Sequence, residues 1–175
     1  MASTLPTKAP QTVTPDGRSV KPMIAGVTIR PALTQQDERG TVAEIYSPAW
    51  GFDDLPLVYA YLVTVRPGRV KGWAMHERHV DRYFFAAGVL KLVLYDGRAE
   101  SPTHGLVSEL CFSDFNRSLV SVPTGVWHAV ENLGSVDGML FSLPSEAYDH
   151  ENPDKLLLPL ENALIPYTFE RPRGR

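Results

Sequence analysis

The chain has 175 residues, of which 43% are hydrophobic and 21% charged, with a formal net charge of -3. Those values fit one globular domain with a real core, and they exclude the basic face that a nucleic-acid partner needs. No apolar run approaches the roughly 18 residues of a membrane span, no apolar signal core opens the chain, and the single cysteine, Cys111, excludes an internal disulfide. A cytoplasmic protein with a small-molecule partner, and no nucleic-acid or membrane partner, is the expectation.

In chain order, residues 1–22 are rich in Thr, Pro, Ser and Lys without periodicity and read as a flexible arm. Residues 23–169 read as one all-β domain, and 170–175 as a frayed tail. Short strands are expected at Gly26–Arg30, Gly40–Tyr46, Val58–Val65, Arg69–Met75, Arg82–Ala87, Val89–Tyr95, Leu106–Phe112, Ser118–Val122, Trp127–Asn132 and Gly138–Leu143. They carry Val, Leu, Tyr and Phe, often in alternation. Turn signals separate them at Arg66-Pro67-Gly68, Asp96-Gly97, Ser101-Pro102 and Pro123-Thr124-Gly125. Many short strands at this spacing predict a sandwich or barrel. The proline-rich stretch Pro144–Pro166 is expected to wrap it as turns with one short helical piece. Cys111, in the apolar stretch Leu110–Phe112, is expected in the core.

Two clusters carry chemistry. The first is Gly72-Trp73-Ala74-Met75-His76-Glu77-Arg78-His79-Val80-Asp81, followed by six residues and then Gly88. The second is Pro123-Thr124-Gly125-Val126-Trp127-His128-Ala129-Val130-Glu131-Asn132. Residues two apart on a strand share a face, so His76 shares the Ala74 face. An acid after the turn and a histidine on a further strand complete a constellation pointing inward. The clusters resemble the paired motifs of the cupins: His-x-His with an acid and a glycine, then Pro-x-Gly-x-x-His-x-x-x-Asn. The fold expected is therefore a double-stranded β-helix, the cupin jelly roll. The first histidine of that pattern is Ala74 here, while His76, Asp81 and His128 stand at the others.

A narrower resemblance covers roughly Asp37 to Tyr148. Asp37-Glu38-Arg39-Gly40 with Glu44, Lys71-Gly72-Trp73-Ala74, the run Tyr95 to Gly105 containing Ser101-Pro102-Thr103-His104-Gly105, and Val122 to His128 resemble conserved blocks of the dTDP-4-dehydrorhamnose 3,5-epimerases. Related deoxysugar-nucleotide 3,4-ketoisomerases share the first cluster. The resemblance implies metal-free proton transfer beside a 4-keto group. A histidine oriented by an aspartate takes the proton, and a tyrosine on the opposite face returns one. Arginines hold the diphosphate. It also implies a homodimer whose N-terminal strands cross to the partner.

The sequence departs where that chemistry sits. The catalytic histidine position is Ala74, and the tyrosine position, counted from His128, is Phe141. Thr41-Val42 replaces the thymine-stacking phenylalanine, and Lys71 the phosphate-holding arginine. A rebuilt acid–base set is expected from His76, His128 and Tyr148. Arg39, Lys71 and Arg82 are the candidate cationic rim, and Tyr59, Tyr61, Trp73, Tyr83 and Phe141 the candidate pocket aromatics. His79 lies one residue out of phase and is expected at the surface, with His104 and His150. The leading function is an epimerase- or isomerase-like cupin for a keto-deoxysugar nucleotide. The alternatives are a biosynthetic cupin (isomerase, cyclase or binding protein) for a non-nucleotide metabolite, and a metal-dependent cupin holding Fe, Zn, Mn or Ni on His76, Asp81 and His128. No cofactor is the leading expectation.

Overall fold

The computed structural model describes residues 8–169, so the arm's first seven residues and the tail lie outside the described residues. Twelve strands follow one another: β1 Thr28–Pro31, β2 Thr34–Asp37, β3 Gly40–Ala43, β4 Tyr61–Val65, β5 Val70–Met75, β6 Asp81–Ala87, β7 Leu90–Asp96, β8 Val107–Phe112, β9 Ser118–Val122, β10 Val126–Asn132, β11 Gly138–Ser142 and β12 Leu156–Leu157. Among the described residues the helical structure is one 3-10 turn, Pro48–Trp50, capped by the Ser47 hydroxyl. No described helix is long and apolar enough to cross a membrane.

Two five-stranded antiparallel sheets, ordered β1-β9-β6-β11-β4 and β12-β5-β10-β7-β8, form the jelly roll. Alternation sorts the side chains of each strand into an inner and an outer set. On β6, Tyr83 and Phe85 enter the central core with Leu92 and Leu94 of β7, Val126 and Val130 of β10, and Leu140 of β11. Phe85 stacks on Phe112 at 4.2 Å between ring centroids. Burying each such side chain contributes about 1.5–3 kcal/mol, which sets the strand register.

The outer faces carry their own layers. Phe84, Leu119 and Leu143 lie under Ile45, Tyr46, Trp50 and Phe52. Trp73, Val93, Tyr95, Trp127 and Ala129 lie under Leu158, Leu160, Ile165, Tyr167 and Phe169. The stretch Pro144–Pro166 is thus a covering segment that adds β12 to the edge of β5; it contains no helix.

Several expectations are corrected. Cys111 is exposed, because Ser108, Leu110 and Phe112 take the inner side of β8 and send Glu109 and Cys111 outward. Residues 34–37, unassigned in the sequence, pair with β3 as an isolated hairpin. Its burial pattern is almost wholly exposed. Residues 8–22 are exposed apart from half-buried Thr14 and turn through a Val13–Ser19 bridge, and the Pro22 carbonyl accepts from Ser108 Oγ at 3.1 Å.

Candidate functional site

At one end of the barrel the apolar core gives way to polar residues. His76 ends the inner row of β5, Asp81 and Tyr83 begin that of β6, and His128 lies on β10, where it pairs with Ala74. The strands are locked at this end. Gly125 N–H donates to the His76 carbonyl at 2.8 Å, and Ser145 N–H to the Val80 carbonyl at 3.0 Å. Gly72 (φ 139°) lets β5 approach β10, since a Cβ there would stand 2.5 Å from the Ala129 Cβ.

Asp81, 1% exposed, is the centre. His76 Nε2 lies 3.1 Å from its Oδ2, His128 Nε2 3.4 Å from the same oxygen, and His79 Nε2 3.6 Å from Oδ1. Tyr83 donates its hydroxyl to Oδ2 at 2.7 Å and also stands 3.0 Å from His128 Nε2. A second carboxylate holds the outer side. Asp154 accepts backbone N–H groups of Glu77, Arg78 and His79 at 3.1, 2.9 and 3.2 Å and pairs with His79 Nδ1 at 3.1 Å. Its carbonyl meets His76 Nδ1. The His76 and His79 rings lie 3.9 Å apart.

These contacts fix the charges. Burial opposes ionisation of Asp81, but the imidazoles of His76 and His79 hold it well below the usual carboxylate range. Burial pushes His128 down to about 4, so it is neutral near pH 7. Burial also works against the His76 cation, yet Asp81 and the Asp154 carbonyl outweigh it and raise the pKa. Burial and Asp81 push the Tyr83 phenol up. Tyr61, also pushed up by burial, faces inward on β4 opposite Ser142. It pairs with Tyr59 at 5.5 Å and is 40% exposed, which places its phenol at the barrel mouth. Tyr148 is equally exposed and packs on His150 at 4.8 Å.

The structure therefore gathers His76, His128 and Asp81, with Tyr59 and Tyr61 on the same inner side. It does not gather Arg82, Trp73, Phe141, Lys71 or Arg39. Arg82 is fully buried on the outer face of β6 and cannot serve as a rim. It donates to the carbonyls of Leu143 (2.7 Å), Pro56 (2.6 Å) and Leu55 (3.2 Å) and to Asp53 (3.1 Å). Trp73 is fully buried on the outer face of β5, beneath Tyr167 and Phe169. Phe141 packs in the outer layer around Phe84, and its neighbours Leu140 and Ser142 take the inward positions. Lys71 is exposed on β5. Arg39 is exposed in the β2–β3 hairpin and pairs with Asp37.

His79, expected at the surface, is 9% exposed and belongs to the cluster. Asp154, in the covering segment, was not legible: no periodicity marks it, and it meets His79 from 75 positions away in the chain. His104 is exposed, as expected, and its Nδ1 lies 3.0 Å from the Arg98 carbonyl; His150 is exposed as well.

No protein-family model matches the chain. The probable low-salt glycan biosynthesis epimerase Agl13 of Haloferax volcanii is 28% identical over 141 residues, spanning 80% of this chain and 90% of that protein. The spore coat polysaccharide biosynthesis protein SpsL of Bacillus subtilis is 28% identical over 151 residues, spanning 84% and 97%. A dTDP sugar isomerase from Desulfovibrio desulfuricans superposes with a TM-score of 0.77 at 22% identity, over 83% of this chain and 91% of that one. The fold is the one found in that isomerase.

Proposed function

We propose that this chain, whose relatives include a probable glycan biosynthesis epimerase and a spore coat polysaccharide biosynthesis protein and whose fold is that of a dTDP sugar isomerase, is itself an epimerase or isomerase acting on a keto-deoxysugar nucleotide through an altered acid–base site. The observation that carries the reading is the likeness to a glycan biosynthesis epimerase over 90% of that protein's length. The site chemistry agrees. A ketone acidifies the neighbouring C–H, and groups that hold or pass a proton near neutrality then suffice. Neutral His128 and the His76–Asp81 pair supply imidazole and carboxylate. The Tyr61 phenol at the mouth, pushed up by burial, stays protonated until a developing carbanion needs a donor, and Tyr148 offers a second phenol. Position 74 holds alanine, so the inherited base is absent and the rate with the family's usual substrate is low.

Proton NMR in deuterated water with a panel of 4-keto-6-deoxy sugar nucleotides tests this. Exchange at a carbon beside the ketone, lost in His76→Asn and reduced in Tyr61→Phe, is the expected result. With dTDP-4-keto-6-deoxyglucose the rate should fall well below that of dedicated epimerases. No exchange with any member, together with no rise in melting temperature on adding them, would overturn it.

A second reading, conversion of a non-nucleotide metabolite, is favoured by Val42, 69% exposed where a stacking aromatic would serve a nucleotide. A homodimer is part of the proposal. The β2–β3 hairpin pairs with neither barrel sheet, and Leu33, Val42 and Leu62 are 80%, 69% and 53% exposed, an apolar set that a second copy would cover. Light scattering giving a dimer mass supports this, and a monomer at micromolar concentration opposes it.

A further inference from the structure

The end of the barrel away from the histidine cluster carries four turns, and hydrogen bonds arrange them in a row. Gly68, in the β4–β5 turn, donates its N–H to the Asn132 carbonyl at 3.1 Å, and Leu133, in the β10–β11 turn, donates to the Val89 carbonyl of the β6–β7 turn at 2.9 Å. Gly88, beside Val89, donates to Asp114 Oδ2 of the β8–β9 turn at 3.3 Å. Asn132 Nδ2 stiffens the middle of the row by donating to the carbonyls of Val65 (2.6 Å) and Val136 (2.8 Å).

This row presents apolar side chains to water. Phe115 is 100% exposed, Val136 63%, Leu133 50% and Val89 42%. The turn that carries Phe115 is fixed: Ser113 N–H donates to Asn116 Oδ1 at 2.6 Å, and Asn116 Nδ2 donates to the Cys111 carbonyl at 2.9 Å. A fully exposed phenylalanine on a hydrogen-bonded turn adds nothing to the core, and apolar side chains gathered in this way mark contact surfaces.

Charge decides what the face meets. Arg66 and Arg69, both exposed, stand at one flank. Asp114, at the other flank, keeps a side chain 51% exposed while pairing with Arg117 at 3.1 Å, and Asp137 is exposed between the flanks. An anionic membrane or a nucleic acid would meet these two carboxylates beside the apolar tips, which opposes binding. A second copy turned about a two-fold axis meets no such conflict. The rotation exchanges the flanks, so Arg66 and Arg69 of one copy lie over Asp114 of the other and the apolar tips lie on each other.

We propose that this end of the barrel is a self-association surface on which two copies of the chain meet about a two-fold axis, with both barrel mouths left open. The surface stands apart from the sugar-nucleotide reading and from the β2–β3 hairpin. Where the hairpin also pairs, the two contacts together build a tetramer.

Light scattering and sedimentation of the full chain across micromolar concentrations test it. A variant with Phe115→Glu and Val136→Glu should show half the wild-type mass, its self-association weakened at least roughly tenfold. Adding the same two changes to a Val42→Glu chain should halve that chain's mass as well, which separates this face from the hairpin. Both substituted side chains sit on exposed turns, and circular dichroism verifies that each variant is folded. A chain carrying Arg66→Asp and Arg69→Asp should self-associate at least roughly tenfold more weakly. It should pair again when mixed with an Asp114→Arg chain, because the mixed pair alone brings opposite charges together. Equal masses for the wild type and the glutamate variant would overturn the proposal. So would binding of a non-associating wild type to phosphatidylglycerol vesicles, which would assign the face to a lipid surface. Failure of the mixed pair to form would overturn the two-fold arrangement.

Discussion

Two aspartates sit in adjacent parts of the same barrel, equally withdrawn from water, and behave in opposite ways. Asp96, at the end of β7, is 0% exposed and Asp81, at the start of β6, 1%. Asp96 spends its whole acceptor capacity on committed donors. Oδ1 takes Arg98 N at 3.2 Å and Nε at 2.8 Å; Oδ2 takes Arg98 Nη2 at 2.8 Å, Ser101 Oγ at 2.5 Å and Thr103 Oγ1 at 2.6 Å. Arg98 and Thr103 pass the constraint on to the Ala25 carbonyl and N–H. Asp81 has Tyr83 and three imidazoles around it and an oxygen without a hydrogen bond. A saturated buried carboxylate builds a corner. An unsaturated one facing titratable groups builds a site. The Asp-x-Arg…Ser-Pro-Thr block thus serves the fold, although in the sequence it was read together with functional motifs.

The largest effect should come from the saturated ion networks. Arg82→Met leaves Asp53 and several carbonyls unpaired, and Asp96→Asn removes the charge that faces Arg98 and replaces one acceptor oxygen by a donor. Each should cost about 3–5 kcal/mol, seen as a fall in melting temperature on the order of 10 °C. Asp81→Asn should cost distinctly less while abolishing site function; equal losses for Asp81 and Asp96 would break the comparison.

Acid should sharpen it. Burial opposes the Asp96 charge, but the Arg98, Ser101 and Thr103 bonds hold its carboxyl well below the usual range. A depressed folded pKa means that the unfolded chain binds the proton first. The stabilisation is therefore complete above the unfolded value near ~3.9 and is lost as pH falls below it. Urea midpoints should drop below about pH 4 in the wild type and fall less steeply in Asp96→Asn. A smaller change is expected for Tyr83→Phe, about 1 kcal/mol of stability with no effect at the Asp96 corner. The smallest belongs to Cys111→Ser, within roughly 0.5 kcal/mol, because its side chain faces solvent. A large loss there would mean that an unseen partner covers β8.

Alternation carried much of this into the sequence. It put His76 on the Ala74 face, and it also implies the outward turn of Trp73 and Arg82, each adjacent to an inward residue. That implication was missed because aromatic and cationic character was read ahead of parity. Phe141 failed for another reason. Its position was counted from His128 across the turn that joins β10 to β11, and alternation holds only within a strand, so counting does not preserve the face.

The local chain determined the strands, the turns and the inward rows, because a period of two and a Pro-x-Gly turn act over a few residues. It also determined that residues 74 and 141 lack a group able to move a proton, which is a matter of identity alone. Tertiary structure decided what surrounds Asp81. The covering segment brings Asp154 onto the His76–His79 turn, and the β5–β6 turn folds His79 inward instead of into solvent. Contacts between residues so distant in sequence leave no local periodic trace; packing and hydrogen-bond satisfaction in the folded barrel select them.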